Sequence, residues 1–139
     1  MLLLVVHAMT AAMLTGLIWL VQVVQYPLFV RVGREGFARY HAGHTELISY
    51  VVIPLMFIEL GTGVLLVLRP ALFAVPAELP RWLPWVGLGL LGLVWATTFA
   101  HSVPRHGQLA QGFDAAAHAQ LVAVNWLRTL GWSARTALW

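Results

Sequence analysis

The chain has no cysteine and no lysine, and it has few charged residues of any kind. Only 9% of its 139 residues are charged, whereas 60% are apolar. The missing thiols exclude a disulfide framework, a cysteine nucleophile and a thiolate metal site. A soluble domain carries about 25% charged residues, and eight arginines with five acids cannot cover a particle of this size with polar surface. This composition therefore excludes a water-soluble enzyme and a disordered chain.

The positive charge is small and dispersed. The formal net charge is +3, and the arginines are scattered along the chain rather than clustered. A nucleic-acid-binding domain concentrates its basic residues on one face or along one helix. We therefore expect no nucleic-acid partner.

The chain has instead four long apolar stretches. A helix that crosses a bilayer needs about 20 mainly apolar residues, and a segment in lipid must satisfy its own backbone hydrogen bonds. The sequence therefore predicts an all-α fold, a polytopic membrane protein built as an up-down bundle of four transmembrane helices in a single domain over residues 1–139. The predicted helices are about 2–29, 45–68 with an interfacial extension from about 34, 85–103 and 115–138.

The connections and the first stretch support this interpretation. Four prolines between Arg69 and Pro84 predict a loop, and Asp114 is placed to cap the fourth helix. The first stretch lacks a positive start and is too long for a signal peptide, so we expect it to be retained. Four arginines against three near the membrane ends favour a cytoplasmic location for the side where helices one and three end.

Polar residues form one stripe on each predicted helix. On the fourth helix, Asp114, His118, Asn125 and Arg128 recur at spacings of three, four and seven residues, which places them on one face. The first three helices carry similar stripes. Because polar groups are costly against lipid, we expect these faces to point into the bundle.

The alternating direction of four helices would bring five of the six histidines to one membrane side. Imidazole and carboxylate are common metal ligands, and residues three or four apart on a helix reach the same side. The candidate cofactor-binding residues are His41, His44, His101 and His118, with Asp114 as a further metal ligand.

The nature of the bound group stays open at this point. Iron, copper or zinc would suit nitrogen and oxygen donors, and two histidines from different helices would hold a haem axially. The alternative is that these histidines lie at the membrane interface and bind nothing. His106 follows Pro104 and is expected in a solvated loop, while Tyr26 and Tyr40 are expected to be interfacial anchors.

Two opposite charges lie near the middle of predicted spans, at Glu59 and Arg128. A charge in mid-membrane costs at least about 2.5–3.5 kcal/mol on insertion scales, so we expect these two to pair, with Asn125 completing the network. The pair would be either a structural clamp or the floor of a substrate cavity or proton path. In the second case Glu59, Arg128 and Asn125 are the candidate catalytic residues.

The run Asn125-Trp126-Leu127-Arg128-Thr129 resembles the C-terminal signature of the anthrone-oxygenase-like small four-helix membrane proteins. Gly16 and the pair Tyr26-Pro27 are similar to that family's opening, although the abundance of histidine departs from it. The resemblance implies an oxygenase or oxidoreductase that acts on a lipophilic, aromatic substrate. It also places Asn125 and Arg128 among the family's characteristic positions.

Three functions follow as hypotheses. The first is a metal- or haem-dependent membrane oxidoreductase acting on a lipophilic small molecule that enters from the lipid bilayer. The second is a small-ion or proton transporter or channel subunit that uses Glu59 and Arg128, which would require a homo-oligomer because four helices are few for one pore. The third is a membrane scaffold subunit without chemistry.

Overall fold

The computed structural model describes residues 1–68 and 78–139, and within these ranges the chain is helical with no strand. The four long helices are α1 (Leu2–Arg31), α2 (Arg34–Leu68), α3 (Trp82–Leu109) and α4 (Ala115–Leu138). The first three are long and apolar enough to cross a membrane. The prediction of an all-α chain with four helices is therefore confirmed for the described residues, and membrane-spanning character is supported for three of them.

The helix bounds differ from the predicted ones at α2 and α3. The interfacial extension and the second span form one continuous helix of 35 residues. The first part of the predicted loop over 69–84, residues 69–77, lies outside the described residues. The helix α3 begins at Trp82, within the predicted loop. Pro84 fits the first turn because its missing N–H would have no partner there. At its other end α3 runs through Pro104 to Leu109.

The prolines inside α1 and α3 follow widened helical turns. Both helices contain a π-helical segment, at Val21–Gln25 in α1 and at Thr98–Ser102 in α3. Each segment ends two residues before a proline, Pro27 or Pro104. A proline clashes with the carbonyl four residues earlier, and a wider turn accommodates that clash. Beyond each segment, the residues that face into the bundle are shifted by about one position along the helix. This shift determines which side chains reach the site described below.

The helices pack in a ring, each against the next along the chain and α4 against α1. The start of α1 contacts the ends of α2 and α4, while its end contacts the starts of both, so α1 runs antiparallel to its two neighbours. Gly131 allows a close approach of α4 to α3, because a Cβ there would lie 2.8 Å from a side-chain atom of Val94. Asp114 caps α4 as predicted, its carboxylate accepting the N–H of Ala117 at 2.8 Å.

Candidate functional site

Buried polar groups collect in two places, one towards each end of the helix ring. At the end that holds the N-terminus, the fully buried Glu59 accepts a hydrogen bond from Nε of Arg135 at 2.8 Å and another from Nε1 of Trp132 at 2.9 Å. Arg135 also donates to the carbonyl of Gly87, and its Nη2 lies 3.3 Å from Nε2 of His7. We call Glu59, Arg135, Trp132 and His7 the Glu59 cluster. Both carboxylate oxygens in it have partners, and its two charges are balanced.

The predicted pairing of Glu59 with Arg128 is therefore wrong, since the partner is Arg135. The physical reason is the depth of each residue along its helix. At 1.5 Å per residue, Glu59 lies about 27 Å from His41, and Arg135 lies about 26 Å from His118. His41 and His118 share one level because both rings pack on Phe29. Arg128 precedes Arg135 by seven residues on α4, so its guanidinium lies closer to His118 and at a different depth from Glu59.

At the opposite end, three side chains form a continuous hydrogen-bonded chain. The Tyr26 hydroxyl lies 3.0 Å from Nε2 of His106, and Nδ1 of His106 lies 3.0 Å from Nε2 of His41. Each imidazole can donate from one nitrogen and accept at the other, so a proton can shift along both bonds in the same direction. We call these three residues the Tyr26–His106–His41 chain. It contains His106, which was expected to be solvated, and Tyr26, which was expected to be an interfacial anchor; both expectations are wrong.

The widened turn of α3 explains why His106 rather than His101 faces inward. The stripe on α3 begins with the buried Val94 and Thr97, and a regular helix would continue it to His101. The π-helical segment Thr98–Ser102 rotates the face, so that Ser102 is buried and His101 is exposed. One further turn then points His106 into the ring. A helical proline was the sequence signal that could have revealed the shift.

The other predicted ligands are not assembled around one point. His44 is half-buried beside Phe29, and Nε2 of His118 donates to the backbone carbonyl of Tyr26 at 2.8 Å. Asp114 is exposed and acts as the cap of α4. Among the described residues, no group of three or more His, Asp or Glu side chains is placed to hold one metal ion. The predicted set His41, His44, His101, Asp114 and His118 does not form such a group, and binding of iron, copper, zinc or haem stays a prediction from the sequence.

Arg128 lies between the two polar ends and is 7% exposed. Its Nη1 donates to Oδ1 of Asn125 at 3.0 Å, and the amide nitrogen of Asn125 donates to Oε1 of Gln22 at 2.7 Å. The guanidinium carbon lies 5.2 Å from the centre of the Trp132 ring, a cation–π distance. The predicted association of Asn125 with Arg128 is confirmed, whereas the catalytic role assigned to these two residues and Glu59 stays a prediction.

A cavity of about 360 Å³ lies between the helices beside Arg128. Its walls are mainly apolar, and they include Leu14, Ile18, Val52, Met56, Trp95 and Trp132. One end is polar, being lined by Tyr26, His44, His106 and Arg128. Apolar walls with a few converging polar groups are typical of a small-molecule site.

The cavity opens sideways rather than along the ring axis. Four of its lining residues are exposed apolar side chains, Ile53 and Phe57 of α2 and Phe99 and Val103 of α3. Because all four belong to two neighbouring candidate spans, the mouth lies between α2 and α3. In a bilayer this mouth would face the acyl chains.

No protein-family model matches the chain, and no characterised protein or solved structure is significantly similar to it. The likeness of Asn125–Thr129 to the anthrone-oxygenase-like proteins therefore stays a prediction.

Proposed function

We propose that this protein is a four-span membrane enzyme that takes a lipophilic small molecule from the bilayer and exchanges a proton with it. The observation that carries the proposal is the cavity, whose mouth lies between two candidate spans and whose polar end is lined by Tyr26, His106 and Arg128. An apolar molecule in the cavity would lie against an imidazole that is already hydrogen-bonded to two further groups.

The chemistry follows from the Tyr26–His106–His41 chain. An imidazole can accept a proton at one ring nitrogen while it releases one from the other, so it can relay a proton between two partners. The Tyr26 hydroxyl lines the cavity, so the substrate proton would enter the chain at its oxygen. As it does, the hydroxyl proton would pass to Nε2 of His106, and the Nδ1 proton of His106 would pass to Nε2 of His41. Proton removal leaves the electron pair on the substrate as an enolate-like anion, which molecular oxygen can oxidise. The resemblance to anthrone oxygenases therefore favours an oxidoreductase that uses molecular oxygen as its electron acceptor.

The arrangement also bears on transport. A carrier carboxylate must alternate between bound and free states, whereas both oxygens of Glu59 are held by Arg135 and Trp132 in a fully buried ion pair. Leaving either partner unpaired would be strongly unfavourable. These contacts favour a structural role for Glu59 over the predicted ion-carrying one.

The first test asks whether the cavity holds the ligand. Val52 lines the cavity, whereas its neighbour Val51 is exposed and does not. Purified protein in lipid nanodiscs is incubated with a total membrane lipid extract, and the retained and converted compounds are measured by mass spectrometry. We expect Val52→Trp to lose retention and conversion, and Val51→Trp to keep both. Equal retention by the two variants would place the ligand elsewhere.

The second test asks whether the imidazole chain acts on that ligand. His106→Gln removes the imidazole that links Tyr26 to His41 while keeping a polar side chain of similar size. His101→Gln is the matched control on the exposed face of α3. We expect His106→Gln to retain the ligand but to convert it at least about a hundredfold more slowly, and His101→Gln to behave as wild type. An oxidoreductase gives a product that has gained oxygen or lost hydrogen. If the wild type converts no compound and both variants fold and retain lipid as the wild type does, the scaffold hypothesis would be favoured.

A further inference from the structure

The charge on Arg128 has no counterion among the described residues. All five acidic residues fall within those residues, and the one ion pair found there joins Glu59 to Arg135. Asp114 caps α4, and Glu46 lies beside the Tyr50 hydroxyl. The other two, Glu35 and Glu78, are exposed. Over residues 1–68 and 78–139, the interior of the ring therefore holds one more positive charge than negative.

The neutral neighbours of Arg128, Asn125 and the Tyr26 hydroxyl, orient it without cancelling its charge. Asn125 presents its carbonyl oxygen to the guanidinium because its amide nitrogen is engaged by Gln22. The Nε atom of Arg128 is buried and has no hydrogen-bond partner in the described part of the chain. A buried guanidinium that lacks both a counterion and one hydrogen-bond acceptor is an unfavourable arrangement that a bound anion would relieve.

The unsatisfied groups lie on the wall of the cavity. Arg128 lines it, and so does Ser102, whose hydroxyl is likewise buried and without a partner in the residues described. The remaining walls are apolar, and the mouth opens between α2 and α3. A ligand that satisfies the whole site would combine a negatively charged oxygen at Arg128 with an apolar body along the walls.

We propose that the cavity recognises a lipophilic anion, a molecule whose carboxylate, enolate or phosphate oxygen pairs with the guanidinium of Arg128. This inference rests on the proposed function and names the class of its ligand. The same anionic oxygen could belong to a free amphiphile that has partitioned into the membrane or to the headgroup of a phospholipid. Arg128 lies about 15 Å along α4 from His118, so a headgroup would have to leave the membrane surface to reach it.

The test uses dodecanoate and its methyl ester, which share an apolar body and differ in charge. The protein is reconstituted in phosphatidylcholine nanodiscs, and binding of each probe is measured by native mass spectrometry. We expect wild type to bind dodecanoate at least about tenfold more tightly than the ester, as a charge-assisted hydrogen bond requires. Arg128→Gln should remove that preference by weakening the binding of dodecanoate and leaving the binding of the ester unchanged. Arg128→Lys should keep the preference. Arg81→Gln, an exposed arginine outside the cavity, is the control that changes nothing.

The outcomes separate this inference from the proposed function. Equal binding of acid and ester by wild type would overturn the anion site and leave the cavity function standing. Binding of neither probe would overturn both. If Arg128→Gln does not fold, the acid-to-ester ratio of wild type decides, with Val52→Trp expected to lose both probes. Displacement of dodecanoate by added phosphatidic acid would assign the anion to a lipid headgroup, and failure to displace it would assign it to a free amphiphile.

Discussion

Two buried arginines on one face of α4 have opposite surroundings. Arg135 is held by a carboxylate, a backbone carbonyl and an imidazole in the Glu59 cluster. Seven residues earlier, Arg128 has only neutral partners, an amide oxygen, the Tyr26 hydroxyl and an aromatic ring, and its Nε is unpartnered beside a cavity. The same type of side chain thus has a counterion in one layer of the ring, and in the next layer it lacks both a counterion and a partner for its Nε. We call the first arrangement complete and the second incomplete. A complete cluster suits stability, whereas an incomplete one suits ligand binding.

The largest effect is expected from breaking the complete cluster. Glu59→Gln would leave the Arg135 charge unpaired in the protein interior, and we expect a loss of about 3–5 kcal/mol in the free energy of unfolding. Unfolding in mixed detergent micelles would measure it. The control is Glu46→Gln, an exposed glutamate on the same helix, which should change stability by less than about 0.5 kcal/mol. A loss below 1 kcal/mol for Glu59→Gln would contradict the assignment.

A double-mutant cycle sharpens the same point. Glu59→Leu with Arg135→Met removes both charges and should recover a large part of the loss caused by either change alone, because no charge is left unpaired. We expect a coupling of about 1–3 kcal/mol. The same cycle between Glu59 and Arg128 should give a coupling close to zero, and a large coupling there would mean that the two layers are not separate.

The approach of α3 to α4 beside the Glu59 cluster gives an intermediate effect. A Cβ at Gly131 would meet a methyl group of Val94 at 2.8 Å, whereas a Cβ at Gly92 would meet nothing within 4 Å. The valine side chain has little freedom to move. We therefore expect Gly131→Ala to destabilise the protein by about 1–3 kcal/mol. Gly92→Ala in the same unfolding assay should be neutral or slightly stabilising.

A smaller effect is expected at the polar end of the cavity. Tyr26→Phe removes one hydrogen bond from His106 and should cost about 0.5–1.5 kcal/mol in unfolding free energy. It should slow substrate conversion by a larger factor than Tyr40→Phe, whose hydroxyl accepts a bond from Gln25 at the surface. Equal conversion rates for the two variants would remove Tyr26 from the proton path.

The smallest effect on stability is expected at Arg128 itself. Because it has no charged partner to lose, Arg128→Met should change the unfolding free energy by less than about 1 kcal/mol. Arg135→Met, measured beside it, should lose several times more. Similar losses for the two variants would end the distinction between a complete and an incomplete cluster.

The sequence predicted the layout better than the contacts. Composition and the lengths of the apolar stretches predicted four helices, and Asp114 correctly predicted the start of α4. Helical spacing placed Asn125 with Arg128, since both lie on one helix. The errors came where a contact depends on two helices: Glu59 was matched to the wrong arginine, and His101 was expected in place of His106.

Those errors have two physical causes. Glu59 and Arg128 were given comparable depths because each lies near the middle of its predicted span. The packing of Phe29 on His41 and His118 fixes the actual level of the two helices, and Glu59 then lies at the depth of Arg135. The register of α3 changes at a π-helical turn, and a constant period of 3.6 residues does not anticipate it.

The amino-acid sequence alone determined that this chain is apolar, helical and polar along one face of each helix, because these properties depend on composition and on local spacing. Only the tertiary structure decided that one arginine is neutralised and another is not, and that a cavity lies beside the second. Those features depend on the relative depth and rotation of separate helices, which are set by packing between residues far apart in the chain.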